Sequence, residues 1–282
     1  MNKKLLIRTI CFIVILGCGT VLIKQSHNNY VQNLTAEEAR LLYERAQAQN
    51  YPLILYTPTP IMPETPTITK TPTPLPTLPP TPTPRVIQPE FEELRFAYGN
   101  YDIIGYLRIP GTSIDYPVTR SYDNSFYLNR NIRKETSEAG WIFLDYENDV
   151  ANDDFNTIIY GHNMRQDIMF HSLRYYQSWS FFNEHRYIVY NTIYENHVWE
   201  IFSFYRAETS FPYIQVFFSC EQEFMSLVRE MKARSMYDTG VEVRPGDHIL
   251  TLSTCTNDSD DTRFVLNARR LCPEEIPEEL RD

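Results

Sequence analysis

Cysteine, histidine and arginine are the side chains in this sequence whose types and spacing allow covalent acyl chemistry. The chain holds five cysteines and six histidines. Cys11 and Cys18 fall in an apolar N-terminal run, which leaves Cys220, Cys255 and Cys272, an odd number with no C-x-x-C pair. That pattern supports neither a disulfide framework nor a zinc site built on cysteine and histidine. Cys255 closes the run Ile249-Leu250-Thr251-Leu252-Ser253-Thr254-Cys255, and Arg263 opens Arg263-Phe264-Val265-Leu266 after seven polar residues. A hairpin closed symmetrically by that loop sets Cys255 opposite Arg263, Ser253 opposite Val265 and Thr251 opposite Asn267, and directly opposite residues share a face. A slip of one residue sends the two side chains to opposite faces. The other reading keeps Cys255 as a small core residue and Arg263 as an exposed hairpin charge.

A thiol attacks acyl groups as the thiolate. It therefore needs a cationic neighbour to lower its pKa or a base to take its proton, and later a general acid for the leaving group. Among the histidines, His27 adjoins the apolar run, His171, His185 and His197 stand among surface-like helix or strand-edge residues, and His248 opens a strand. His162 differs. It follows Thr157-Ile158-Ile159-Tyr160-Gly161, a buried-strand pattern ending in glycine, which presents an imidazole at a barrel rim where the backbone is free to turn. A structural histidine at a strand end has the same local pattern.

The elements that must position these residues are short. Strand patterns cover Ile103–Ile109, Ile114–Pro117, Trp141–Phe143, Asn156–Tyr160, Tyr187–Asn191, His197–Ala207, His248–Ser253 and Arg263–Ala268. Eight short strands point to a closed barrel rather than a parallel sheet, so the fold class is mainly β with a few helices (α+β). Helical spacing appears at Glu90–Tyr98, at Met169–Tyr176 with Leu173 and Tyr176 on one face, and at Cys220–Met236. In the last, Phe224, Leu227, Val228 and Met231 follow the i, i+3, i+4, i+7 rule. No internal repeat or glycine-rich phosphate loop is present.

The first 84 residues have a different grammar. Residues 5–23 carry Arg8 as their one charge in an apolar run. At ~1.5 Å per residue they reach roughly 28 Å, one hydrocarbon core. Lys3, Lys4 and Arg8 place residues 1–4 in the cytoplasm and the rest outside, a single-pass arrangement in the cell membrane. A cleaved secretory signal, or lipidation at Cys18 after Ile15-Leu16-Gly17, fits the same residues. Residues 24–56 read as a juxtamembrane spacer whose helix opens with Thr35 as cap and Glu38 three residues on, and runs to about Gln49. Eleven of the 19 prolines alternate with threonine in 57–84, which reads as an extended polyproline stalk of roughly 85–90 Å. Residues 85–282 form the expected catalytic domain. A charge of −10, from 36 acidic against 26 basic residues, disfavours a nucleic-acid partner. The 20 Tyr, 16 Phe and 43% apolar content supply a sizeable core.

Tyr160-Gly161-His162-Asn163, Thr251-Leu252-Ser253-Thr254-Cys255 and Arg263-Phe264-Val265 resemble the His, Cys and Arg motifs of sortases, the cell-wall transpeptidases of Gram-positive bacteria. Ile104–Thr112, Ile114–Val118 and Gly140–Asp145 resemble the class B subgroup, as does a helical insertion between the sixth and seventh strands. The resemblance spans roughly Glu90 to Cys272. It implies a sortase-type eight-stranded barrel with an N-terminal helix. It further implies Cys255 as nucleophile, His162 as acid/base and Arg263 as the donor that holds substrate and oxyanion. Asn124, Leu128, Tyr160, Thr209, Tyr213, Ile214 and Ser253 resemble residues lining the peptide site. Thr256 stands where some relatives carry an acidic residue.

The implied partners are a sorting-signal peptide of secreted surface proteins, of the N-P-x-T-G or S/L-P-x-T-G type, and an amine of peptidoglycan or its precursor. No cofactor is expected. Pilin polymerisation, with a lysine as acceptor, shares the chemistry, and a hydrolytic cysteine peptidase shares its first half. A stalked β-barrel binding module with inert Cys255 and His162 is the alternative from another class. A methanethiosulfonate reagent separates it from the enzymes: Cys255 is expected to react fast in an enzyme, whereas slow modification in the folded protein would favour the binding module.

Overall fold

The computed structural model describes residues 30–48, 85–164, 167–208, 210–255 and 262–281, with Cys255 through its backbone alone. The expected membrane segment 5–23, the Thr-Pro segment 57–84, and Thr209 and Thr256 lie outside the described residues. Among the described residues no helix is long and apolar enough to cross a membrane.

Among the described residues the chain forms ten strands. They are β1 (Ile103–Arg108), β2 (Asp115–Thr119), β3 (Phe143–Leu144), β4 (Asn156–Tyr160), β5 (Asn163–Met164), β6 (Ile168–Met169), β7 (Tyr187–Thr192), β8 (Asn196–Glu208), β9 (Ile249–Cys255) and β10 (Thr262–Arg270). Eight close a barrel in the order β1-β2-β3-β4-β9-β10-β8-β7, as the strand count predicts, and β5 and β6 form a separate ribbon. The β2–β3 and β4–β9 pairs are parallel and the other barrel pairs antiparallel. Closure removes the exposed edges that short strands would otherwise present.

Period-two alternation gives the sheet an inner and an outer face. Leu250, Leu252, Leu266 and Ala268 belong to the core inside the barrel. Ile249 and Val265, from the alternate positions, pack in a second cluster with Phe224, Leu227, Val228 and Met231. Those four residues are the buried stripe of the helix Glu221–Arg234, the expected insertion between the sixth and seventh barrel strands. A helix therefore covers the outer face of β8, β10 and β9, and the part it leaves uncovered is available for a groove.

Three other helices are described, at residues 30–48, Pro89–Tyr98 and Trp179–Glu184; in chain order they and the insertion are α1, α2, α3 and α4. The segment expected to be helical from Met169 departs from expectation. Met169 ends β6 with φ 56°, in the left-handed region, and His171–Gln177 is a 3-10 helix. Leu173 and Tyr176 are both buried, because i and i+3 eclipse in that geometry.

The N-terminal helix is not a spacer. Thr35 does not cap it: the helix is already formed at Tyr30, and the Thr35 hydroxyl donates to the Val31 carbonyl at 2.9 Å. Packing overrides the cap signal, since Gln32, Ala39, Tyr43 and Ala46 make one buried stripe that begins upstream of Thr35. Tyr43 stacks on Tyr106 of β1 at 4.1 Å, meets Phe91 of α2 edge-on at 5.5 Å, and its hydroxyl accepts from Asn191 Nδ2 at 2.9 Å. Gln32 Nε2 donates to Ser137 Oγ at 2.8 Å, and Tyr98 of α2 donates to the Thr35 carbonyl at 3.2 Å. Because α1 and α2 share one core, residues 48 and 85 both lie on the folded body. The Thr-Pro stalk expected at 57–84 lies outside the described residues.

Removing a buried aromatic ring costs about 3–5 kcal/mol. Tyr43→Ala in the full-length protein is expected to destabilise unfolding in denaturant by about 3 kcal/mol. Leu41→Ala, on the exposed side of the same helix, is expected to stay within about 0.5 kcal/mol. Equal effects of the two substitutions would contradict the docking of α1.

Candidate functional site

Two strand registers assemble the site. Across β9 and β10, Cys255 pairs with Arg263, Ser253 with Val265 and Thr251 with Asn267, the register that the symmetric loop predicts. In the parallel β4–β9 ladder the last pair is Tyr160 with Ser253, and the Gly161 amide extends it by donating to the Ser253 carbonyl at 3.3 Å. Two steps on, His162 stands level with Cys255. Neighbouring strands are ~4.8 Å apart, so His162, two residues beyond the end of β4, lies at the same rim of the barrel as the paired Cys255 and Arg263 at the ends of β9 and β10.

A groove of ≈ 430 Å³ opens at that rim. Asn124, Leu128, Tyr160, His162, Tyr213, Ile214, Ser253 and Arg263 line it, which is every described candidate side chain from the sequence. Phe143, Gly161, Phe211 and Thr254 line it as well and were not singled out by their sequence context. The volume lies in the range of ordinary ligand clefts.

Glycine makes the histidine's setting possible. Gly140 has φ +58°, and a Cβ there would lie 2.5 Å from the Tyr127 carbonyl and 2.7 Å from that of Leu128. Its absence lets the Leu128 carbonyl approach His162 Nε2 at 2.7 Å. A carbonyl only accepts, so Nε2 carries the hydrogen and Nδ1 is the nitrogen left for proton exchange. Arg263 Nη1 donates to the Thr262 carbonyl at 2.9 Å, which steadies the guanidinium at the groove.

The polar walls are tied to the barrel. The buried carboxylate of Asp145 accepts from Tyr160 Oη at 2.7 Å, from Asn124 Nδ2 at 2.9 Å and from the Glu147 amide at 2.9 Å. Asn124 Oδ1 in turn accepts from the Tyr146 amide at 3.0 Å. Burial, and then the Asp145 charge, push the Tyr160 phenol far above its usual pKa, so it remains a donor. On the other wall Tyr213 Oη and Ser253 Oγ are 2.9 Å apart. Asp145 carries no sequence signal for this role, because Asn124, Asp145 and Tyr160 meet only in the folded chain.

The remaining described histidines have structural partners. His171 is not surface-like: it is buried, with Nδ1 2.8 Å from Asn163 Oδ1. His185 Nδ1 donates to the Phe181 carbonyl at 2.8 Å. His197 lies near Glu195 and His248 near Asp153. Cys220 and Cys272 are free and exposed. Among the described residues no three His, Cys, Asp or Glu side chains converge to hold a metal ion.

With this geometry in place, the comparisons with known proteins identify the class. The Sortase domain family model matches residues 107–271, and the chain belongs to the sortase family, whose members are cysteine transpeptidases. Its relatives are class B members. The chain is 35% identical to Sortase B of Staphylococcus aureus over 185 residues, 65% of this chain and 75% of that protein. It is 41% identical to Sortase B of Listeria monocytogenes over 161 residues, 57% of this chain and 65% of that protein. The Staphylococcus aureus sortase B–substrate complex superposes with a TM-score of 0.62 at 34% identity, covering 66% of this chain and 86% of that one.

Burial holds His171 and His197 below the usual histidine pKa, with Arg174 and Arg270 respectively adding to the effect. Both are therefore neutral when folded, and as pH falls through about 6.5 the unfolded chain takes up protons first. Stability is expected to decline from pH 7.5 to 5.5. A thermal midpoint that is flat across that window, or that rises, would contradict the buried neutral state.

Proposed function

We propose that the protein anchors surface proteins to the cell wall as a membrane-tethered cysteine transpeptidase. Residues 5–23 span the cell membrane with residues 1–4 in the cytoplasm, and the barrel works outside, facing the wall. The donor is a C-terminal sorting signal of the N-P-x-T-G or S/L-P-x-T-G type, cut between Thr and Gly. The acceptor is an amine of peptidoglycan or its precursor.

The steps follow from the chemistry of the three residues. The Cys255 thiolate adds to the Thr carbonyl carbon, and the oxyanion that forms is stabilised by the Arg263 guanidinium. The C–N bond to Gly then breaks, His162 gives its proton to the departing amine, and the acyl group stays on Cys255 as a thioester. An acceptor amine attacks that thioester and passes a proton to His162. An amide forms and the thiolate leaves. Arginine suits the oxyanion because its planar fork is fixed and always charged, which lysine does not reproduce. Asn124, Leu128, Tyr160, Thr209, Tyr213, Ile214 and Ser253 bind the donor peptide.

The reading is supported by one observation: His162 and Arg263 line one groove, and the β9–β10 register pairs the Cys255 backbone with Arg263. That Staphylococcus aureus sortase B forms a complex with a substrate supports peptide binding by this chain.

The test uses the full-length protein in detergent with quenched peptides bearing N-P-x-T-G, S-P-x-T-G and L-P-x-T-G, with and without an amine. Cleavage with ping-pong kinetics and an acyl adduct on Cys255 is expected, and none in Cys255→Ala. Arg263→Lys is expected to lose about 100-fold in turnover while staying folded. Cleavage that survives in Cys255→Ala would end the proposal, and near-normal turnover in Arg263→Lys would remove the arginine from the mechanism.

A further inference from the structure

A chain of buried side-chain hydrogen bonds crosses four strands beneath the groove. Ser203 Oγ of β8 donates to Asn267 Oδ1 of β10 at 2.8 Å. Asn267 Nδ2 donates to Thr251 Oγ1 of β9 at 2.9 Å, and Thr251 Oγ1 donates to Asn156 Oδ1 of β4 at 2.7 Å. All four residues are fully buried, each at 0% exposure. The chain ends on backbone: Asn156 Nδ2 donates to the carbonyls of Gln215, at 2.9 Å, and of Tyr213, at 3.2 Å.

Those two carbonyls flank Ile214. Tyr213 and Ile214 form a wall of the groove, within the connection between β8 and α4 that has no regular secondary structure. Among the described residues, no backbone hydrogen bond joins residues 214–218 to a barrel strand. Side chains hold this wall instead: the Asn156 fork, the Tyr213–Ser253 contact, and Gln215 Nε2 on Glu223 Oε1 at 2.7 Å. The fork attaches to main-chain atoms on both sides of Ile214.

The hydrogen-bond polarity along the chain allows one arrangement. Asn156 uses both amide hydrogens on carbonyls, so its oxygen must accept, and Thr251 must then donate to it. Thr251 in turn takes its own hydrogen bond from Asn267 Nδ2, which leaves the Asn267 oxygen for Ser203. A buried polar network with every member satisfied is rigid, and a half-satisfied one is costly.

Buried amides of this kind are placed to fix geometry, and the geometry here belongs to the groove. Resting on the peptide-binding reading above, we infer that Asn156 is a positioning residue for the donor peptide, setting the height of the Tyr213–Ile214 wall through its fork on the Tyr213 and Gln215 carbonyls. It touches no reacting atom and acts through the wall it holds. Loss of the fork frees Ile214 to move, so peptide binding weakens while the chemistry at the rim proceeds at its usual rate.

Asn156→Asp keeps the acceptor for Thr251 and replaces both donors with carboxylate oxygen facing carbonyls. Thr251→Val keeps shape and breaks the chain one link earlier, so it covers the case in which Asn156→Asp does not fold. In the full-length protein, Asn156→Asp is expected to raise KM for the donor peptide about tenfold or more, with a smaller rise in Thr251→Val, the loss of two hydrogen bonds corresponding to that factor. Turnover per titrated thiol is expected to stay within about twofold of the parent. Amide hydrogen exchange is expected to quicken across residues 211–218 and to stay unchanged in β4 and β9.

A role in stability alone lowers the active fraction and leaves KM where it was, and that result overturns the inference. Unchanged exchange at 211–218 in both variants overturns it whatever the peptide assay gives. If the parent protein cleaves no donor peptide, the transpeptidase reading fails by itself, and the exchange measurement still decides whether Asn156 holds the wall.

Discussion

Parallel pairing of β4 with β9 is the constraint on which the site depends. Parallel neighbours cannot be joined by a tight turn, so the chain between them must travel, and here it supplies β5 to β8 and α4 on the way. Once the two strands lie together in register, residues with no sequence proximity, His162 and Cys255, come level at their C-terminal ends. The third participant needs only a local event, since β10 returns antiparallel and pairs Arg263 with Cys255. One long-range pairing and one hairpin thus gather the three candidate residues at one rim.

The same pairing explains how much could be read from the sequence. The hairpin register was legible because seven polar residues separate two apolar runs, and a symmetric closure has one arrangement. The stripe of α4 was legible from its spacing, since Phe224, Leu227, Val228 and Met231 all turn inward. Motif resemblance located His162, which local pattern left ambiguous. Asp145 escaped because its meaning lies in three segments meeting at one carboxylate, and Asn156 because a polar residue opening a strand looks like any other. The docking of α1 escaped because its buried stripe mixes Gln32, Ala39, Tyr43 and Ala46, too polar and too small to signal a core-facing helix.

The walls and the rim are built on different principles. At the rim, groups are left able to exchange protons, with His162 Nδ1 clear of the Leu128 carbonyl that holds Nε2. In the walls, polar groups are consumed internally: Asp145 takes up donors from Tyr160 and Asn124, and Asn156 takes up carbonyls from Tyr213 and Gln215. Dense internal pairing costs reactivity but prevents the groove from relaxing around an empty space. A transferase benefits from that division, because the donor must stay in register while its bond to nitrogen is exchanged for one to sulfur.

The packing of α1 against β1 and α2 sets a short leash. Under the proposed topology only residues 24–29 separate the membrane segment from a helix already seated on the barrel. Six residues reach at most roughly 20 Å, so a membrane segment at 5–23 would confine the groove to a thin shell next to the lipid, whatever the contour length of the Thr-Pro segment. Donors and acceptors held by the same bilayer would share that shell, and their encounters would become two-dimensional searches at high local concentration.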